Sequence, residues 1–177
     1  MSQRSRIDTR FTEQEIAHRV ESLAGEIAGR LPAASLTVAV LKGSFVFAAD
    51  LIRALSRAGT DWPMDFLTLS SYGTGTESSG RVRIVRDLTD DVAGLDVLLI
   101  DDILESGLTL AFARDLMLER GARRVWVCAL LDKRSKRRAP IEADFRGFEV
   151  PDEFVVGYGL DWAHRFRGLP YIGVVRR

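Results

Sequence analysis

Hydrophobic and polar positions along this chain fall into two periods, and the changes of period divide it into elements. Ile16, Val20, Leu23 and Ile27 recur at helical spacing behind the capping box Thr12-Glu13-Gln14-Glu15, so a first helix is expected to about Arg30, with Pro32 ending it. The polar residues before it, 1 to about 10, predict a loose arm. Ser35 to Leu41 is an apolar run of buried-strand type, and Phe45, Phe47, Ala48, Leu51, Ile52 and Leu55 predict a helix from Ser44 onward. Two further strands are expected at Asp65 to Tyr72 and Arg81 to Asp87. A buried strand follows at Val97 to Ile100, then a helix through Leu108, Phe112, Leu116 and Leu118, a C-cap at Gly121 and another strand at Arg124 to Leu131. Continuous β-branched runs separated by helices indicate an α/β fold whose sheet is mostly parallel and covered by helices.

Composition narrows this picture without redirecting it. A chain of 177 residues, 46% hydrophobic and 28% charged, fits one domain with a substantial core. Twenty-five basic residues balance 25 acidic ones, so no global charge favours nucleic acid or an anionic membrane. The single cysteine, Cys128, lies in an apolar run, which excludes disulfide scaffolds and cysteine-based zinc sites. The polar N-terminus has no signal region and no stretch has membrane-spanning length, so residence in the cytoplasm is expected.

The chemistry concentrates after Val97 to Ile100. Asp101 and Asp102 are placed at the end of that strand, where ligands of open α/β sheets bind. Glu105, Ser106, Gly107 and Thr109 then lead into a helix, and hydroxyls, a glycine and free helix-start N–H groups together form a phosphate socket. Three carboxylates beside it suit sugar hydroxyls, Mg²⁺ or a proton in transit. A Walker A loop is excluded because Leu108 separates Gly107 from Thr109 and no Lys is present; no G-x-G-x-x-G occurs anywhere.

Elsewhere, Lys42-Gly43 stands at a strand-to-helix turn and offers charge and backbone donors to an anion. The linker from Gly73 to Gly80 is too long and glycine-rich for a tight hairpin, and reads either as a surface loop or as a mobile lid with Ser71 and Tyr72 at its base. Asp132 to Arg138 is a basic run of the kind usually found in solvated loops, although Lys133 directly follows a strand end on the phosphate-socket side. His18 lies on the first helix, where a solvent-facing or satisfied side chain is expected and not a catalyst.

Residues 97 to 109 resemble the phosphoribosyl-pyrophosphate signature of the type I phosphoribosyltransferase family: a hydrophobic strand, two acids, two apolar residues, an acid, Ser or Thr, Gly, any residue, Thr. Glu105 stands where Asp is usual, and Ser106 where Thr is frequent. Pro151 to Trp162 resembles the purine-binding segment of its 6-oxopurine members, and the likeness continues from Arg165 to Val175. The resemblance implies a central, mostly parallel sheet with a small hood from the terminal segments. It implies transfer of a 5-phosphoribosyl group from phosphoribosyl pyrophosphate to N9 of hypoxanthine or guanine, with Mg²⁺ as cofactor, in a homodimer or homotetramer.

The roles carried over are these. Ser106, Gly107, Leu108 and Thr109 hold the 5′-phosphate. Asp101 and Asp102 take the ribose hydroxyls and help hold Mg²⁺, and Asp161 approaches a second Mg²⁺. Lys42 and Gly43 form a pyrophosphate loop with a cis Leu41–Lys42 peptide; Lys42 and Arg167 stabilise the leaving group. Glu105 exchanges a proton near N7, Lys133 donates to O6, Phe154 stacks on the base, and Val155 and the backbone near Asp161 read its other edge. Ser71 and Tyr72 belong to the closing loop. Two rivals share the signature: an RNA-binding regulator of pyrimidine genes, disfavoured by the neutral charge and the 154 to 161 segment, and a xanthine-preferring enzyme.

Overall fold

The computed structural model describes residues 6–33, 35–72 and 81–176. Its strands are β1 (Arg6–Phe11), β2 (Ser35–Leu41), β3 (Met64–Tyr72), β4 (Arg81–Arg86), β5 (Asp96–Leu104), β6 (Arg124–Asp132), β7 (Phe145–Glu149), β8 (Val155–Val156) and β9 (Ile172–Arg176). The helices are α1 (Glu13–Ala28), α2 (Phe45–Arg57) and α3 (Leu108–Glu119), with a single 3-10 turn at Arg134–Lys136.

Six strands form the central sheet in the order β4-β3-β2-β5-β6-β7. All neighbours in it are parallel except β3 and β4. Side chains alternate across the strands and divide the core in two. Leu98, Ile100, Cys128 and Leu130 face one cluster, which α1 and α2 cover through Ile16, Val20, Leu23, Phe47 and Leu51. Val97, Leu99, Val127 and Ala129 face the other, covered by Leu110, Ala113 and Met117 of α3. A separate antiparallel sheet, β1-β9-β8, forms the hood expected from the terminal segments.

Three expectations change. Residues 6–10 are not a loose arm: Arg6 to Phe11 pair with Ile172 to Arg176, because an extended segment completes the hood sheet by bonding to a strand far along the chain. The strand at Val97 does not stop at the acids, since Ile103 and Leu104 remain in register with Leu131 and Asp132. In α3 the fully buried stripe is Leu110, Ala113 and Met117, with the expected Leu108 and Leu116 packed beside it, while Leu118 is exposed on the face turned away from the sheet. Among the described residues no helix is long and apolar enough to cross a membrane. The linker 73–80 lies outside the described residues.

Candidate active site

Between β2 and β5 the sheet order reverses: β2 leads through α2 to β3 on one side, and β5 through α3 to β6 on the other. Such a switch point opens a crevice beyond the carboxyl ends of the two strands. A cavity of about 260 Å³ lies there, lined among others by Lys42, Gly43, Asp101, Asp102, Ser106 and Thr109. Two loops expected separately to bind anions thus share one cleft.

The turn after β2 carries the cis Leu41–Lys42 peptide. Gly43 is required by proximity, since a β-carbon there would fall 1.7 Å from Asp102 Oδ2. Asp101 is 8% exposed. Burial, reinforced by the Asp102 charge, pushes its carboxyl well above the usual carboxylate range, and burial raises that of Asp102 as well. A site that holds two such carboxylates suits a cation. Mg²⁺ takes one or two protein carboxylates and completes its shell with water and substrate phosphate, so this hard-oxygen pair fits it. Among the described residues no group of three or more His, Cys, Asp or Glu forms a closed metal cage.

Gly107 precedes α3 with φ of 80°, a left-handed conformation that glycine adopts freely; it has no side chain to cap the helix, and at the start only the Leu108 N–H meets a side chain, Ser106 Oγ at 3.4 Å, among the hydrogen bonds of the described residues. First-turn N–H groups beyond that of Leu108 can face an anion beside Ser106 and Thr109. Leu108 contributes backbone only, as its side chain packs against the core.

The remaining candidates come from the end of β6 and from the hood. Lys133 is 5% exposed, and its ammonium lies 2.9 Å from Glu105 Oε1, so the basic run after β6 is not a solvated loop at this position. Its backbone N–H donates to the Leu104 carbonyl at 2.9 Å, which turns the side chain inward. Phe154 is 51% exposed and meets the edge of Trp162 at a centroid distance of 6.2 Å. Val155 is buried in β8. The Asp161 carboxylate pairs with Arg167 at 2.7 Å and accepts from the His164 N–H at 2.7 Å; Arg167 also donates to the Gly159 carbonyl at 2.6 Å. Ser71 and Tyr72 end β3, and the roles given to their side chains lie outside what is described.

Sequence reasoning passed over Trp162, although it stands inside the purine-type segment, and Arg137, which no local pattern separates from the basic residues around it. It also read His18 as solvent-facing or satisfied, and that residue is exposed.

The phosphoribosyl transferase domain family matches residues 10–162. The hypoxanthine-guanine phosphoribosyltransferase of Bacillus subtilis (strain 168) is 49% identical, with 94% of this chain and 91% of the relative covered. The hypoxanthine phosphoribosyltransferase of Escherichia coli (strain K12) is 41% identical over 96% of this chain and 95% of its own. A crystal structure of a hypoxanthine phosphoribosyltransferase from Staphylococcus aureus has a TM-score of 0.90 at 40% identity, covering 96% of this chain and 91% of that one. With its switch-point crevice, its paired acids and these relatives along nearly its whole length, the chain belongs to the phosphoribosyl transferase domain family, in its hypoxanthine(-guanine) phosphoribosyltransferase group.

Proposed function

We propose that the chain is a purine-salvage transferase that moves the 5-phosphoribosyl group of phosphoribosyl pyrophosphate to N9 of hypoxanthine or guanine, giving IMP or GMP and pyrophosphate. The observation that carries this reading is one crevice in which an anion-binding helix start, the acids Asp101 and Asp102 and Lys42-Gly43 form one set, and Glu105 with its buried partner Lys133 forms a second. The first set suits a phosphorylated sugar; the second suits a flat base with an acceptor on its edge.

Each residue then has a task. The α3 start, with Ser106 and Thr109, binds the 5′-phosphate. Asp101 and Asp102 accept from the ribose hydroxyls and would help hold Mg²⁺, with Asp161 as the candidate for a second ion; when bound, Mg²⁺ would supply positive charge to the departing pyrophosphate. Lys42 and Arg167 add fixed positive charge at the same place. As the C1–N9 bond forms, the bond from C1 to the pyrophosphate oxygen breaks, and Glu105 exchanges the base proton at N7. Lys133 has donors only, which match the O6 acceptor and oppose a 6-amino group. Phe154 supplies a stacking face. The working form is a cytoplasmic homodimer or homotetramer.

The test mixes purified protein with phosphoribosyl pyrophosphate, Mg²⁺ and hypoxanthine, guanine, xanthine or adenine, and follows nucleotide and pyrophosphate. IMP or GMP formed in step with pyrophosphate is expected. Nucleotide from adenine alone, or none from any base, would overturn the reading.

A further inference from the structure

Beyond the crevice, Arg137 makes an unusual set of contacts for a residue of a basic run. Its side chain is 13% exposed. Its Nε donates to the Glu105 carbonyl at 3.2 Å, Nη2 to the Leu104 carbonyl at 3.4 Å, and Nη1 to the Ile141 carbonyl at 2.5 Å. Nη2 also pairs with Asp132, whose side chain is fully buried at the end of β6. One planar guanidinium therefore ties the end of β5, the end of β6 and the segment beyond the 3-10 turn. Backbone bonds run alongside it: the Arg138 and Ala139 N–H groups donate to the Ser106 carbonyl at 2.9 and 3.0 Å.

Charge compensation alone does not account for this. Asp132 also meets Arg134 at 3.4 Å and Arg146 at 3.7 Å, so its carboxylate has other cations nearby. What only Arg137 supplies is the fork of N–H groups that reaches two successive carbonyls of the Glu105 loop. A lysine could balance Asp132 but could not span those acceptors. The loop so fixed carries Glu105, and the strand end so fixed precedes Lys133, whose ammonium stands 2.9 Å from the Glu105 carboxylate.

We propose that Arg137 is a positioning residue that holds the backbone of Glu105 in register with Lys133, setting the spacing of the two groups that meet the base. This rests on the reading in which Glu105 and Lys133 face N7 and O6. Reacting groups lose rate steeply when their placement loosens, so the effect belongs on turnover and base discrimination, not on capture of the phosphorylated sugar.

The experiment is a double-mutant cycle of Arg137→Lys and Glu105→Gln, measured with hypoxanthine, phosphoribosyl pyrophosphate and Mg²⁺. Arg137→Lys alone should lower kcat by about 10-fold or more, with KM for phosphoribosyl pyrophosphate within about 3-fold of the parent. In the Glu105→Gln background the same change should cost less than about 2-fold, because the group it positions no longer transfers a proton. Equal losses in both backgrounds, or a loss confined to KM for phosphoribosyl pyrophosphate, would overturn the proposal, as would full turnover of Glu105→Gln alone. If Arg137→Lys is recovered unfolded, Asp132→Asn replaces it in the cycle, since it keeps its shape and removes the anionic anchor that Arg137 shares with Arg134 and Arg146, with Arg134→Gln as the control for that shared charge. A parent protein that forms no nucleotide refutes the proposed function instead, which is a different result.

Discussion

Lys133→Gln tests the proposed base recognition most directly. Lys133 is 5% exposed and lies 2.9 Å from Glu105 Oε1, so its ammonium is already desolvated and aimed before a base arrives. A hydrogen bond to a charged donor contributes roughly 1.5–3 kcal/mol. Gln keeps a neutral amide donor, so what is lost at O6 is the charge assistance, roughly 1–1.5 kcal/mol, which should lower kcat/KM for hypoxanthine by about 5- to 15-fold. Adenine should not lose rate, because the Gln carbonyl can accept from its 6-amino group. The hypoxanthine-to-adenine ratio therefore falls by at least the same factor. Stability should change little, within about 1 kcal/mol, since the Glu105 side chain left behind is half-exposed and stays hydrated. The assay compares initial rates with each base at saturating phosphoribosyl pyrophosphate, beside a thermal melt. Lys136→Gln is the control: it removes the same charge from an exposed side chain paired with Asp152 at 2.9 Å, and should leave the ratio unchanged. An unchanged ratio in Lys133→Gln, or an equal change in the control, would refute the donor argument.

Glu105→Gln keeps size and hydrogen bonding but removes the basic group, so steady-state kinetics should show turnover lower by roughly 100-fold with little change in binding of phosphoribosyl pyrophosphate; Glu105→Asp then tests whether the loop has adjusted to the longer side chain. Gly43→Ala puts a methyl 1.7 Å from Asp102 Oδ2, and the loop must shift; calorimetry should show a loss of roughly 1–3 kcal/mol, with activity falling further. Asp65 accepts from the Phe66, Thr89 and Asp90 N–H groups, and although burial pushes its carboxyl up, these donors outweigh it and hold the carboxyl below its ordinary value. Its stabilisation is complete above the unfolded carboxylate pKa and fades as pH falls through the lower folded value. Asp65→Asn should therefore destabilise by roughly 1–3 kcal/mol at pH 7 in denaturant titrations, with the gap to the parent closing below about pH 4.

Much of the site was legible because its parts are local. Asp101 to Thr109 are consecutive residues around one strand end and one helix start, so strand burial, acids, glycine and hydroxyls could be read together. Lys42-Gly43 was legible for the same reason, and the Cys128 reading followed from its apolar run, where the side chain is buried. Most strands and helices of the central sheet were readable from β-branched runs and helical spacing, which report backbone preference and burial along the chain, but the edge strand β7 (Phe145–Glu149) and the strand order were not.

The tertiary structure decided what depends on residues far apart. Glu105 and Lys133 are separated by 28 positions, and only the adjacency of β5 and β6 makes them an ion pair. The segment Arg6 to Phe11 has only Ile7 and Phe11 as apolar residues, too sparse to mark a strand, yet pairing with β9 makes it one. Whether β5 stopped at its acids depended on hydrogen bonds offered by β6, and which stripe of α3 was buried depended on the shape of the sheet beneath it. Arg137 and its basic neighbours are alike as sequence; they differ because one guanidinium is enclosed among carbonyls and the buried Asp132, while Lys136 faces solvent. Periodicity determines which side of an element turns inward, but the partner it finds there is set by packing.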